Sequence, residues 1–203
     1  CQEESGKVQE VSGGYREMIG QLPTSLDVGE VSYPIETDYR NILVFLAACS
    51  DPELSPAEKL EILMKRLYRD GFSQIPQEHL EEAILQAKWF VDCGQGDDKK
   101  PARKVMDWEQ DEPILFPAIN KVAGIETRAT QYIHWWTFSG YFMEIEEGTF
   151  STVLGIRQKK AKGKKLEKWE QEFYRNNRRL CDIRKRYTEE EQAEIDYWNN
   201  LLG

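Results

Sequence analysis

The sequence has few of the residues from which metal, phosphate and redox sites are built. Its 203 residues include two histidines and four cysteines, and the cysteines at positions 1, 49, 93 and 181 form no Cys-x-x-Cys pair. This spacing matches no zinc site, and the isolated glycines match no phosphate-binding loop. We therefore expect no catalytic, cofactor-binding or metal-binding residue, and no enzyme. Cys49 and Cys93 end apolar helical runs, which predicts buried thiols in a reducing cytosol.

Long apolar runs are also missing. The longest, Ile42–Cys49, lies between Arg40 and Asp51 and is far shorter than the ~18 residues that a membrane-spanning helix needs. The start of the chain has no basic stretch followed by an apolar one, so no secretory signal is expected. The sequence therefore predicts no membrane partner.

Charge is abundant but unevenly distributed. The formal net charge is −9, yet residues 157–186 carry thirteen Lys or Arg against four acids, a net charge of +9. Residues 1–156 carry a net charge of −13, and the last seventeen residues add −5. A basic arm thus lies between two acidic regions. Such opposite charges on one chain are compatible with head-to-tail stacking of copies, so a homo-oligomer is one expected partner state.

The predicted fold is mainly α, a multi-helix domain with a short N-terminal β-hairpin and a C-terminal helical tail. Apolar residues alternate on either side of Gly29, which predicts the hairpin within residues 26–35. We expect a weakly ordered segment at 1–20 and a helical core domain at 21–156, with a flexible linker at about 94–104. Residues 157–203 are expected to form a basic connector and the C-terminal helices.

Capping residues, prolines and glycines set the expected helix bounds. The expected helices run from Asp38 to about Cys49, from the capping box Ser55-Pro-Ala-Glu58 to Gly71, from Pro76 to Gly94, from Asp107 or Asp111 to Gly124 with a kink or break at Pro117, from Thr127 to Gly148, from Thr149 to Ile156, from Lys164 to Arg186, and from Thr188 onward.

One of these helices contains an unusual concentration of aromatic residues. At about 100° per residue, apolar side chains surround nearly all of it, which is typical of a central buried helix or of one covered by another chain. No Lys or Arg occurs between Gln131 and Gly148, unlike in nucleic-acid stacking platforms. We interpret the segment mainly as core and His134 as a core histidine. The candidate partner contacts are Trp135, Trp136, Phe138, Tyr141 and Phe142.

The basic arm is the electrostatic feature that most suggests a partner. Three interpretations remain open: a solvated connector paired with the chain's own acids, a site for an acidic protein or a neighbouring copy, and a site for RNA or DNA. No base-reading module accompanies the arm, which makes nucleic acid the least favoured of the three. The candidate residues are Arg157, Lys159, Lys160, Lys162, Lys164 and Lys165.

The order of several motifs resembles the gene-product-fifteen family of tailed-phage proteins. The resemblance spans roughly residues 22–187, and its most specific part is His-Trp-Trp-x-Phe followed about twenty residues later by Gly-x-Arg. The motifs are Leu22-Pro-Thr-Ser with the hairpin, Thr37-Asp-Tyr-Arg40, Met106-Asp-Trp-Glu-Gln-Asp111, His134-Trp-Trp-Thr-Phe138, and Leu154-Gly-Ile-Arg157.

The resemblance implies a role in building long non-contractile phage tails. Family members are encoded just ahead of the tape-measure protein, the position held by tail assembly chaperones. We therefore expect a non-enzymatic chaperone in the cytoplasm of the bacterial host, with the tape-measure protein as client and tail-tube subunits as a further candidate partner. The alternatives are a structural component of the tail, or a nucleic-acid-binding accessory protein that uses the basic arm.

Overall fold

The computed structural model describes residues 20–95 and 104–202. Nearly all of the expected weakly ordered segment at 1–20 and most of the expected linker at 94–104 lie outside these described residues. Within them the chain is mainly α-helical and carries a two-stranded antiparallel hairpin near its N-terminal end, as predicted.

The described strands and helices follow one another in a simple order. The strands are β1 (Ser25–Val28) and β2 (Val31–Pro34), and the α-helices are α1 (Tyr39–Ala48), α2 (Pro56–Tyr68), α3 (Leu80–Val91), α4 (Glu112–Ala123), α5 (Trp135–Met143), α6 (Thr149–Ala161), α7 (Lys168–Asn176), α8 (Arg178–Cys181) and α9 (Glu189–Leu202). Short 3-10 turns span Arg69–Gln74, Gln77–His79 and Thr127–Ala129.

The hairpin is held on the helices by one of its faces. Leu26 and Val28 are buried, and β1 packs against α3. Gly29 begins the turn with a φ of 61°, and its backbone N donates a hydrogen bond of 2.8 Å to Glu82 Oε2 on α3. A two-stranded hairpin is only marginally stable alone, so this packing is what maintains it.

Several predicted helix ends are confirmed because local capping groups determine them. The Asp38 side chain accepts a hydrogen bond from Arg40 N at the start of α1, and Ser55 and Glu58 form the predicted capping box of α2. Gly124 ends α4 with a φ of 70°, a left-handed conformation that glycine adopts at low cost.

The aromatic helix is shorter than predicted, because Thr127 does not begin it. Thr127 lies in a 3-10 turn, where Asn120 Oδ1 accepts hydrogen bonds from its backbone N (2.9 Å) and its Oγ1 (2.8 Å). The helix begins instead at Trp135 and ends at Met143, before Gly148.

Other expected bounds are wrong too. α3 begins at Leu80 and ends at Val91 instead of running from Pro76 to Gly94. α2 ends at Tyr68 rather than Gly71, because Arg69 adopts a φ of 50°. α4 runs from Glu112 to Ala123 with Pro117 inside it, so the helix is not broken there. α6 continues past Ile156 to Ala161. The predicted helix from Lys164 to Arg186 is divided into α7 and α8 at Asn177.

The interior consists of one large hydrophobic cluster and one small one. The large cluster joins the hairpin to α1–α5 and to the start of α6. In the small cluster Val153 and Ile156 of α6 meet Cys181, with Phe173 and Leu180 packed around them. α6 therefore contributes to both clusters and connects the two parts of the described chain.

The cysteines do not follow the prediction of two buried thiols. Cys49 is exposed at the end of α1 and Cys93 is half-buried, whereas Cys181 is buried in the small cluster. Cys49 follows the last turn of its helix, where the chain has already reached the surface. Burial raises the pKa of the Cys181 thiol, which keeps it protonated and unreactive.

Candidate functional site

His134 joins the start of α5 to the N-terminal segment. Its Nδ1 accepts a hydrogen bond of 3.1 Å from Trp136 N and so caps the helix. Its Nε2 lies 2.9 Å from the carbonyl oxygen of Pro23, which can only accept. These two contacts assign the neutral tautomer that carries its proton on Nε2. The ring is buried, as predicted for a core histidine, and both of its nitrogens are used in structural contacts.

Backbone hydrogen bonds strengthen this junction. Tyr39 N donates to Ile133 O at 3.0 Å, and Trp135 N donates to Thr37 O at 2.7 Å. The segment before α5 and the segment before α1 therefore run antiparallel for a short distance. The motifs around residues 23, 37 and 134 thus form one structural unit, the N-terminal junction.

The two tryptophans of the aromatic helix cap the end of another helix. Trp135 Nε1 donates to Val91 O and Trp136 Nε1 donates to Phe90 O, each at 2.8 Å. The last carbonyl groups of a helix have no partner inside it, so the indoles satisfy two such acceptors at the end of α3. Gly94 accommodates the second indole, because a Cβ there would lie 3.3 Å from Trp136 Cη2.

The remaining aromatic candidates also pack inside the chain. The Phe138 ring is fully buried and stacks on Tyr39 with a centroid distance of 4.1 Å. Phe142 contacts the rings of Trp108 and Phe150, and Tyr141 is partly buried against the same large cluster. Aromatic rings predicted as partner contacts therefore lie in the interior or at its edge.

Lowering the pH should weaken folding through His134. Burial lowers the pKa of this imidazole below its ordinary value near 6.5, so the folded state binds fewer protons than the unfolded state. The stability that the neutral ring contributes is complete above pH ~6.5 and is lost as the pH falls through the lowered pKa. Urea titrations should show a decline of at most about 1.4 kcal/mol per pH unit for this one proton.

The variant His134→Asn isolates this effect. Asparagine is a good helix cap but does not titrate, so the free-energy difference between wild type and variant should shrink as the pH falls from 7 to 5. His79 is present in both proteins, so its contribution cancels. A constant difference over this range would contradict a structural role for the neutral imidazole.

Arg157 is the centre of a second junction. Its guanidinium forms a two-pronged ion pair with Asp111, with N–O distances of 2.7 and 2.8 Å, and both side chains are almost fully buried. It also donates to the carbonyl oxygens of Val105, Leu180 and Cys181. One residue of α6 thereby holds the chain before α4 and the end of α8 together.

Asp107 extends this second junction toward residue 186. Its carboxylate accepts hydrogen bonds from Gln110 N (3.0 Å), Lys104 Nζ (2.7 Å) and Arg186 Nη2 (2.8 Å). Burial alone would raise the pKa of Asp107, but the Gln110 amide and the two cations outweigh it and lower that pKa to about 2. We call the cluster of Asp107, Asp111 and Arg157 the C-terminal junction.

The structure divides the basic arm into two parts. Arg157 is buried, and Lys159 and Lys160 form ion pairs of 2.6 Å with Glu170 and Asp182. The other three candidates are exposed and pair with no carboxylate in the described ranges: Lys162, Lys164 and Lys165. The expected pairing with the chain's own acids therefore holds for the helical half of the arm, and the second half is open to a partner.

A small cleft with a mixed apolar and acidic lining lies beyond the end of the aromatic helix. Ala118, Val122 and Ile145 supply apolar surface, and Lys121 is the basic residue in its lining. The acidic rim is Glu144, Glu146 and Glu147. Met143, the last residue of α5, is 57% exposed next to it. We call this feature the acid-rimmed cleft. Periodicity could not have located it, because its two sides come from α4 and from the loop after α5.

The described part of the chain offers neither a metal site nor a membrane span. No group of three or more His, Cys, Asp or Glu residues there could hold a metal ion. None of the helices in that part combines the length and apolarity needed to cross a membrane.

The fold and its two junctions define a mainly helical protein whose most distinctive motifs hold its segments together. The chain belongs to the family described as Bacteriophage Gp15 protein, whose model matches residues 18–183. It is therefore a phage-related protein. No curated protein and no solved structure matches the chain. Both junctions lie mainly within the matched residues, whereas α9 lies beyond them.

Sequence patterns did not reveal the partners of the motif residues. They indicated His134 and Arg157 but not the contacts of these residues with the Pro23 carbonyl and with Asp111. A usable signal was present, since all four residues lie in the motifs that carry the family resemblance.

Proposed function

We propose that this protein is a non-enzymatic tail assembly chaperone that binds the phage tape-measure protein in the host cytoplasm. The observation that carries the proposal is membership of the Bacteriophage Gp15 protein family. The more specific role, tail assembly chaperone, rests on the resemblance to proteins encoded ahead of the tape-measure protein. Tail-tube subunits are the second proposed partner, because a chaperone of the tape measure acts where the tube assembles around it.

The acid-rimmed cleft is the surface that we propose for the client. A long helical protein presents apolar residues at intervals of three and four, and a chaperone would bind them in an apolar groove. The apolar side chains of Ala118, Val122 and Ile145 offer such a groove, and the three glutamates of the rim favour a client segment with basic flanks. The aromatic side chains of α5 do not line this cleft and pack in the interior or at its edge.

Two substitutions in and beside the cleft should strongly weaken client binding without affecting folding. Val122→Glu and Met143→Glu each place a charge on an exposed apolar position, so we expect at least ten-fold weaker binding of a co-expressed tape-measure fragment. Thermal melting should stay within about 2 °C of wild type, since surface changes alter stability by less than ~0.5 kcal/mol. Co-purification and titration calorimetry measure the two effects.

Leu85→Glu is the matched control, because Leu85 is equally apolar and 60% exposed but lies on α3. It should bind the fragment like wild type. A wild-type protein that leaves the fragment insoluble and unbound would contradict the chaperone role. Equal losses in the cleft variants and the control would contradict only the choice of surface. Finding the protein in purified virions by mass spectrometry would instead support a structural component of the tail.

A further inference from the structure

A groove lined by arginines lies at the end of α8. Its lining is Arg178, Arg179, Asp182, Ile183 and Arg184, so it combines three guanidinium groups with one carboxylate and one apolar side chain. We call it the arginine groove.

The arginine groove has cationic charge that the described chain does not neutralise. Asp182 is its one carboxylate, and Lys160 (2.6 Å) and Arg178 (3.3 Å) both pair with it. Arg179 and Arg184 pair with no carboxylate among the described residues. The groove can therefore accept an anionic partner at little cost, since no internal ion pair has to break.

α9 has the complementary composition. Its first eight residues contain five carboxylates and no Lys or Arg, and large apolar side chains follow. Tyr197, Trp198 and Leu201 are 62%, 49% and 60% exposed. Glu190 and Glu194 precede them at helical intervals of three and four, so these acids and the apolar residues share one side of the helix. This shared side is what we call the acidic-aromatic face.

The acidic-aromatic face has no cover within the described chain. None of the side chains of α9 belongs to either hydrophobic cluster of the described residues. A hydrogen bond from Glu189 N to the Glu53 side chain ties the start of the helix to the loop before α2. No residue of α9 lines the arginine groove.

We propose that the acidic-aromatic face of α9 docks on the arginine groove of a second copy of this chain. Carboxylates of the helix would meet Arg179 and Arg184. The Trp198 and Tyr197 rings would provide flat faces on which guanidinium groups stack. Ile183 would contact the apolar side chains of the helix.

The arrangement predicts a closed dimer. Only residues 185–188 separate the arginine groove from α9, and the five steps from Arg184 to Glu189 span at most about 18 Å. When α9 of one copy lies on the arginine groove of the other, α9 of the other copy is therefore close to the groove of the first copy. Both contacts form together around a two-fold axis, which closes the assembly at two copies. This inference goes beyond client binding and does not depend on it.

Sedimentation and light scattering of the full chain test the proposal. At ~50 mM salt the mass should rise with concentration to a plateau at twice the 23.7 kDa of the monomer, and at ~500 mM salt it should return to the monomer mass. A monomer at all concentrations up to ~100 μM in low salt would overturn the proposal. A mass increase that requires an added oligonucleotide would also overturn it, by assigning the groove to nucleic acid.

Charge exchange between copies provides the decisive control. The groove variant Arg179→Glu/Arg184→Glu and the helix variant Glu190→Arg/Glu194→Arg should each dimerise at least ten-fold more weakly than wild type. An equimolar mixture of the two should form a heterodimer, because the basic helix of one then faces the acidic groove of the other. Asp196→Arg, on the opposite side of α9, should leave dimerisation unchanged. A mixture that stays monomeric would overturn the assignment of the two surfaces.

Discussion

Replacing Arg157 with methionine should lower the free energy of unfolding by about 3–5 kcal/mol. Methionine provides a long apolar side chain of similar length but leaves the buried Asp111 carboxylate without its cation. It also removes the donors to the carbonyl groups of Val105, Leu180 and Cys181. A buried carboxylate without a partner is costly, so the loss should be far larger than that of any exposed ion pair.

Lys162→Met is the matched control for this experiment. Lys162 follows α6, is exposed and pairs with no described carboxylate, so its loss should change stability by less than ~0.5 kcal/mol. Chemical denaturation of both variants measures the two free energies of unfolding. Hydrogen exchange should show that α8 loses protection in Arg157→Met, because the end of α8 is held by this guanidinium. Equal stabilities of the two variants would contradict the stabilising role of the C-terminal junction.

A double-mutant cycle tests whether Arg157 acts through Asp111. Asp111→Asn should be destabilising alone, and the double variant should be less unstable than the sum of the two single effects predicts. The expected coupling is about 1–3 kcal/mol, because the two groups are in direct contact. Arg157→Lys should restore only part of the stability, since a lysine cannot form the two-pronged contact. Strict additivity would mean that the two residues act independently.

Trp135→Ala should also destabilise the protein by about 3–5 kcal/mol. The ring is 5% exposed, so its removal leaves a cavity in the large cluster. The substitution also removes the hydrogen bond from Nε1 to Val91 O at the end of α3. Trp135→Phe keeps most of the buried ring but not the donor, and should cost about 1–3 kcal/mol.

Trp169→Ala is the matched control, because the Trp169 ring is 55% exposed on α7. Its removal should change the melting temperature by no more than about 2 °C, whereas Trp135→Ala should lower it by about 6–20 °C. The same pair of variants separates a structural from a client-binding role for the aromatic helix. Unchanged stability of Trp135→Ala, combined with lost client binding, would contradict its assignment to the core.

Several features of the fold were predictable from the sequence because neighbouring residues determine them. The helix starts at Asp38 and Ser55 and the helix end at Gly124 depend on groups within a few residues, and these predictions are confirmed. The hairpin around Gly29 is confirmed for the same reason. Aromatic residues on nearly every side of one helix correctly indicated a helix inside the protein.

Predictions failed where distant contacts override local preference. Thr127 has the composition of a helix cap, but it bonds to Asn120 and remains in a turn. The actual cap, His134, is a residue that local preference does not favour at this position. The sequence of the basic arm did not show which of its lysines are paired and which are exposed. Lys159 and Lys162 look alike there, and only the position of Glu170 distinguishes a paired from an exposed lysine.

The sequence by itself determined a mainly helical chain, its main caps and the motifs that place it in its family. These properties depend on the chemistry of short segments. Only the tertiary structure decided which motifs contact one another. His134 contacts Pro23 across 111 positions, and Arg157 contacts Asp111 across 46. Such pairs form only when packing brings distant segments together. The same packing buries the aromatic helix and leaves the acid-rimmed cleft, the last lysines of the arm and α9 exposed.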